Sequence, residues 1–171
     1  IKFDSEYSLL DSARSELLFT NNDRTVKTHY GCHVWESVCS TQPMRHGHIY
    51  RWKIIVERFK STGNTYELVI GASVQNKDLQ GFNRDHDIVQ MRNKNAGIGL
   101  NLRLWQWRVG ENHEEIQKPQ VLRPGTFETV TPFTVGCQFD YTKDRPVFHV
   151  FFEGEKVAEK RVNGRYFHEV G

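Results

Sequence analysis

The sequence predicts an all-β fold, a bent antiparallel β-sandwich of two sheets, on three observations. Apolar residues recur at every second position in many short stretches, and turn-forming clusters separate those stretches by roughly 8 to 15 residues. No long segment carries the 3.6-residue period of an amphipathic helix. Strands of this kind each bury one face, and two such faces must cover one another.

Residues 1–15, with Leu9, Leu10 and Ala13 among Ser and Glu, form an N-terminal cover segment or short helical turn, and 16–171 form the sandwich domain. Leu17-Leu18-Phe19-Thr20, a turn at Asn21-Asn22-Asp23, and Thr25 to Tyr30 read as strand, tight turn and strand. Val34 to Cys39 alternates again before the Pro43-containing loop from Ser40 to Arg45. Between Gly47 and Glu57, Tyr50, Trp52, Ile54 and Val56 fall on one face, while Arg51, Lys53 and Glu57 keep the other mostly polar. Ser61-Thr62-Gly63-Asn64-Thr65 supplies turn chemistry into Tyr66 to Ala72, so these two strands are expected to pair as a hairpin.

The stretch from Asn76 to Asp87 is polar, with Phe82 its only aromatic residue, and is expected to be an exposed loop. Ile98, Leu100, Leu102 and Leu104 share a face, whereas Trp105, Trp107 and Val109 continue on the opposite parity. A bulge or turn near Leu104-Trp105 reconciles them. Gly110 to Gly125 reads as a polar connection. Phe133, Val135, Cys137 and Phe139 then alternate, followed by a turn from Asp140 to Arg145, a strand from Pro146 to Phe152, a Glu153-Gly154-Glu155 turn and a last strand from Lys156 to Val162.

Composition narrows the function classes. The 171 residues suffice for one domain with a substantial core, and eleven Phe, six Tyr and four Trp concentrate the apolar content into large rings. A net charge of +2, with basic and acidic residues interleaved, argues against a nucleic-acid or membrane footprint built on bulk charge. No apolar run approaches the ~20 residues that span a bilayer. Three cysteines and no Asn-x-Ser/Thr acceptor point to a reducing compartment, and a cytoplasmic location is expected. The start at Ile1 without Met suggests a domain excised from a longer protein or a processed form.

Three blocks in order resemble the SPRY domain family: Gly47 to Val56, Val69-Ile70-Gly71-Ala72, and the pair Phe133 to Asp140 with Val147 to Gly154. Gly97-Ile98-Gly99-Leu100 is similar to the strand between. The likeness covers residues 16 to 164. The family's aromatic-Tyr-Trp-Glu run stands here as Tyr50-Arg51-Trp52-Lys53, and its late Asn-Gly turn as Glu153-Gly154. The resemblance implies a concanavalin-like jelly-roll architecture and a non-catalytic module that binds a partner peptide or protein surface through loops at one end. Adaptors and ubiquitin-ligase substrate receptors use it so. The implied contact residues are Trp35, Gln75, Asn76, Phe82, Asn83, Arg84, Asn95 and Ile98, the last where the family often carries an aromatic residue. Read from the residues alone, Trp35 follows the alternation of Ser37 and Cys39 and is expected to pack inward, and Phe82 is either a loop anchor folding back or an exposed contact.

Several constellations carry residue types capable of chemistry. Cys32, His33, Cys39, His46 and His48 are the densest metal-ligand set, with His46 and His48 expected on one strand face, but the set lacks a Cys-x2-Cys knuckle, and core or junction roles are favoured. Asp85-His86-Asp87 reads as a solvated loop, because adjacent extended residues point in opposite directions and do not converge on a substrate. Trp105 and Trp107 beside Arg103 and Arg108 suit stacking on bases or sugars, yet alternating strand tryptophans favour core packing. No nucleophile elbow, phosphate loop or zincin motif is present in the sequence. No cofactor, metal, nucleic acid or membrane partner is expected, and a lectin-like carbohydrate-binding domain is the alternative to the protein-binding module.

Overall fold

A computed structural model of the chain describes residues 2, 17–22, 24–28, 40–57, 68–73, 97–102, 105–109, 112–116 and 132–162. Among them are ten strands and no helix. Strands β1 (Leu17–Thr20) and β2 (Thr25–Thr28) pair as a small two-stranded sheet, with Asn21 and Asn22 both at φ 54° in the turn. Asn tolerates that left-handed backbone better than most residues, which is why the Asn-Asn pair turns the chain here.

Two four-stranded antiparallel sheets carry the body of the fold. One runs β10 (Glu155–Arg161), β9 (Val147–Phe152), β8 (Phe133–Asp140), β3 (Ile49–Val56). The other runs β4 (Val69–Ser73), β5 (Gly97–Asn101), β6 (Gln106–Val109), β7 (Asn112–Glu115). The inward residues of both merge into one hydrophobic core. From the first sheet come Val56, Phe133, Val135, Cys137, Phe139, Phe148, Val150 and Phe152; from the second, Ile70, Ile98, Leu100 and Trp107.

Aromatic rings bind this core together. Trp52 stacks on Phe148 with centroids 5.8 Å apart, Phe148 meets Phe139 at 6.2 Å, and Trp107 crosses from the second sheet to meet Phe148 edge-on at 5.9 Å. Offset and edge-to-face rings add about 0.5–1.5 kcal/mol per pair beyond the area they bury. On the outer edges, Lys160 of β10 forms an ion pair with Glu114 of β7, joining the two sheets along one side.

Strand assignment follows the alternation closely, but pairing does not. Tyr50, Trp52, Ile54 and Val56 point inward as their spacing predicts. The expected hairpin with Val69–Ser73 is not formed: β3 pairs with β8 from Ile49↔Asp140 to Val56↔Phe133, and β4 pairs with β5 in the opposite sheet. Both strands bury one face in the same core, and a connection that crosses between sheets satisfies that burial as well as a hairpin would. The segment at residues 61–65 lies outside the described residues, as do Val34 to Cys39 and Asn76 to Asp87.

The parity change before Trp107 is resolved by a turn. Trp105 sits at φ 53°, its N–H donating to the Asn101 carbonyl at 2.9 Å, so β5 folds back on β6 with Leu100↔Trp107 in register. The polar stretch after Gly110 contains a strand that periodicity missed. Asn-His-Glu-Glu has no apolar alternation; among the described residues β7 is the last strand of its sheet, where charges discourage pairing with another chain. In β4, a Cβ on Gly71 would collide with the Ile98 carbonyl oxygen, so glycine alone permits that close approach between the strands.

Candidate functional site

Two surfaces are built from described residues, and both belong to β3. The first is the segment leading into it. The backbone of Arg45 is clamped by one phenol: its N–H donates to Tyr50 Oη at 2.7 Å, and the Tyr50 hydroxyl donates to the Arg45 carbonyl at 3.4 Å. Ser40 Oγ donates to the Gln42 carbonyl at 3.0 Å, and Met44 packs against the core.

Further bonds tie this segment to its neighbours. The Gly47 N–H reaches the Tyr141 carbonyl and the Tyr141 N–H reaches the His48 carbonyl, each at 2.9 Å, which joins the loop to the β8–β9 turn. The Thr41 N–H bonds the Lys2 carbonyl at 3.0 Å, and Lys2 Nζ bonds Asn22 Oδ1 at 2.8 Å. Residues 41–43 and 45–48 remain exposed while their backbone is held. A surface loop ordered before binding loses less entropy when a partner arrives.

The adjoining turn carries a doubly hydrogen-bonded carboxylate. Thr142 donates to Asp140 Oδ1 through its hydroxyl at 2.5 Å and its N–H at 3.1 Å, and these bonds hold the Asp140 carboxyl below its ordinary range. His46 packs edge-on against Tyr141 at 5.3 Å, and His48 Nδ1 lies 3.1 Å from the His46 carbonyl oxygen. His46 stands in a turn and His48 precedes β3, so the two do not share a strand face. Among the described residues no three His, Cys, Asp or Glu side chains gather as a metal site. Cys32, His33 and Cys39 lie outside those residues.

The second surface is the outer face of the β3–β8–β9 sheet, where an open cleft of about 680 Å³ lies over Gly136. Register explains its composition. Lys53 faces Gly136 across one strand boundary and Gly136 faces Phe151 across the next; in the neighbouring row, Arg51 faces Gln138, which faces His149. The absent side chain at Gly136 opens the floor, and a Cβ there would press on Phe151 Cβ at 3.3 Å. Arg51 Nε donates to Gln138 Oε1 at 2.7 Å, and the Thr134 N–H donates to Glu153 Oε1 at 2.6 Å.

The residues singled out from sequence fare unevenly. Trp35, Gln75, Asn76, Phe82, Asn83, Arg84 and Asn95 lie outside the described residues. Ile98 is fully buried, packed in the core opposite Ala72 and Val109 in register, so its side chain is turned away from any partner. Trp105 and Trp107 are likewise interior, at 2% and 1% exposure, which fits the core role favoured for them. Cys137 is buried, and burial pushes its thiol up to about 12. The cleft over Gly136 went unnoticed in the sequence, because its rows join residues some 80 positions apart; only the Arg51/Lys53 alternation on the exposed side of β3 hinted at it.

Comparison of the chain with protein-family models, with curated proteins and with solved structures finds no match.

Proposed function

We propose that this chain is a SPRY-like, non-catalytic protein-interaction module that receives a peptide or protein surface on loops at one end of its sandwich. The observation that carries the proposal is the clamped segment before β3, where the Tyr50 phenol holds Arg45 by both its N–H and its carbonyl while the surrounding side chains face solvent. A rigid scaffold presenting an ordered polar loop suits recognition of another polypeptide. Among the described residues, Trp105, Trp107 and Cys137 are interior and serve packing, which supports the same view. Within the SPRY likeness, Trp35, Gln75, Asn76, Phe82, Asn83, Arg84 and Asn95 would complete the contact surface. An adaptor or ubiquitin-ligase role would follow if a ligase-type domain flanks it.

The test joins two measurements. The immobilised chain should retain a polypeptide partner whose capture is lost with Arg45→Ala, Phe82→Ala or Arg84→Ala, and a glycan array should give no signal. Glycan binding with no polypeptide partner would replace this proposal with a lectin.

A further inference from the structure

We infer that the outer-face cleft over Gly136 is a second binding site, for an acidic peptide segment that places a carboxylate beside a large apolar side chain. It lies on the sheet face rather than on the loop end, towards the Glu153-Gly154 turn, so it stands independently of the function proposed above.

Its charge is lopsided. Arg51 and Lys53 sit two residues apart on the exposed side of β3, and among the described residues no carboxylate comes within ion-pair reach of either. Arg51 spends only its Nε on Gln138, which holds the guanidinium in place and leaves the terminal nitrogens available for a bidentate carboxylate contact.

The acidic groups of the same face, Asp140, Glu153 and Glu159, each have a partner of their own, Asp140 accepting from Thr142. Glu159 pairs with Lys156 at 2.9 Å and approaches His149 Nδ1 at 3.2 Å, and Glu153 Oε1 takes the Thr134 N–H. Uncompensated cations on one wall call for an anion from outside.

The opposite wall is mixed: Phe151, half-buried, flanks the gap that Gly136 leaves in the floor, with Glu153 and Gly154 beside it. Ile49 and Ile55, at 45% and 65% exposure, lie outside the cleft, towards the two ends of β3 on the side that bears Arg51 and Lys53. A single nonpolar side chain seated against Phe151 with a carboxylate reaching Arg51 or Lys53 satisfies both walls. Nucleic acid fits worse: two cations beside Glu153 and Glu159, in a chain of net charge +2, supply little of the phosphate neutralisation that such binding needs.

The experiment is fluorescence anisotropy with a fluorescein-labelled octapeptide of alternating Glu and Leu, against the same peptide with Lys for Glu and against a labelled single-stranded oligonucleotide. The wild-type chain should bind the Glu/Leu peptide, ignore the Lys/Leu peptide, and weaken as salt rises. The double variant Arg51→Glu/Lys53→Glu should lose at least about tenfold in affinity, and Phe151→Ala should lose a smaller factor. Lys27→Glu, an exposed cation on β2, should bind as wild type.

Because Arg51 and Lys53 are exposed, their reversal should leave the near-ultraviolet circular dichroism intact, and a changed spectrum would be answered by repeating the measurement with Lys53→Gln alone. Equal binding of the two peptides, binding untouched by charge reversal, preference for the oligonucleotide, or no binding at millimolar peptide would each overturn the inference. None of these outcomes bears on partner capture by the loop end.

Discussion

Trp107 of one sheet meets Phe148 of the other with ring centroids 5.9 Å apart and planes inclined at 62°. Phe148 also stacks on Trp52 and touches Phe139, so one ring links three strands of its own sheet to the facing sheet. Trp107→Ala should therefore destabilise the chain by about 3–5 kcal/mol through lost burial and a residual cavity. Denaturant unfolding measures it, and a loss under about 1 kcal/mol would show that the sheets do not depend on this contact.

Cys137 tests the interior from a different side. Its thiol, raised to about 12 by burial, carries almost no thiolate at mildly alkaline pH. In a Cys32→Ser/Cys39→Ser background, native protein should react with a disulfide reagent about a thousandfold more slowly than a small free thiol, and denaturant should abolish the difference. Fast reaction in native buffer would mean that the core opens at β8.

Acid should be felt at the β8–β9 turn. The Thr142 hydroxyl, followed by the Thr142 N–H, holds the Asp140 carboxyl below its ordinary range. A depressed folded pKa contributes stability that is present above the unfolded value and is lost as pH falls through the folded value. Thr142→Val removes the larger cause. The Asp140 titration, followed by NMR, should move up towards the ordinary carboxylate range, and the variant's stability should depend less on pH in that acidic window. An unchanged midpoint would assign the depression to another group.

Tyr50→Phe removes the clamp on Arg45 while keeping the ring against the core. The loss in global stability should be about 1 kcal/mol, the net value of an ordinary hydrogen bond. The sharper readout is amide exchange. The Arg45 N–H should lose protection selectively while the β3–β8 ladder keeps it, and retained protection would show that the loop is held by its other bonds.

Legibility in the sequence tracked how local each determinant is. Phe133, Val135, Cys137 and Phe139 declared their buried face by spacing alone, as did Tyr50 to Val56, because a strand's side-chain period is a property of the backbone. The Asn21-Asn22 and Glu153-Gly154 turns were equally readable, and both adopt the positive φ angles that such turns require. Strand β7 was not, since an edge strand of Asn, His and Glu carries no apolar alternation. Ile98 entered the contact set only through the family likeness; its own alternation with Leu100 and Leu102 already set it on one face, and that face is buried in the core.

The sequence by itself determined that the fold is all-β and, for the strands with apolar alternation, which residues turn inward. Tertiary structure alone decided that β3 pairs with β8 instead of β4, because backbone hydrogen bonds are blind to side-chain identity and partner choice is settled by how the inner faces pack. The same register sets Lys53, Gly136 and Phe151 in one row and so creates the outer cleft, a juxtaposition that no local pattern along the chain could express.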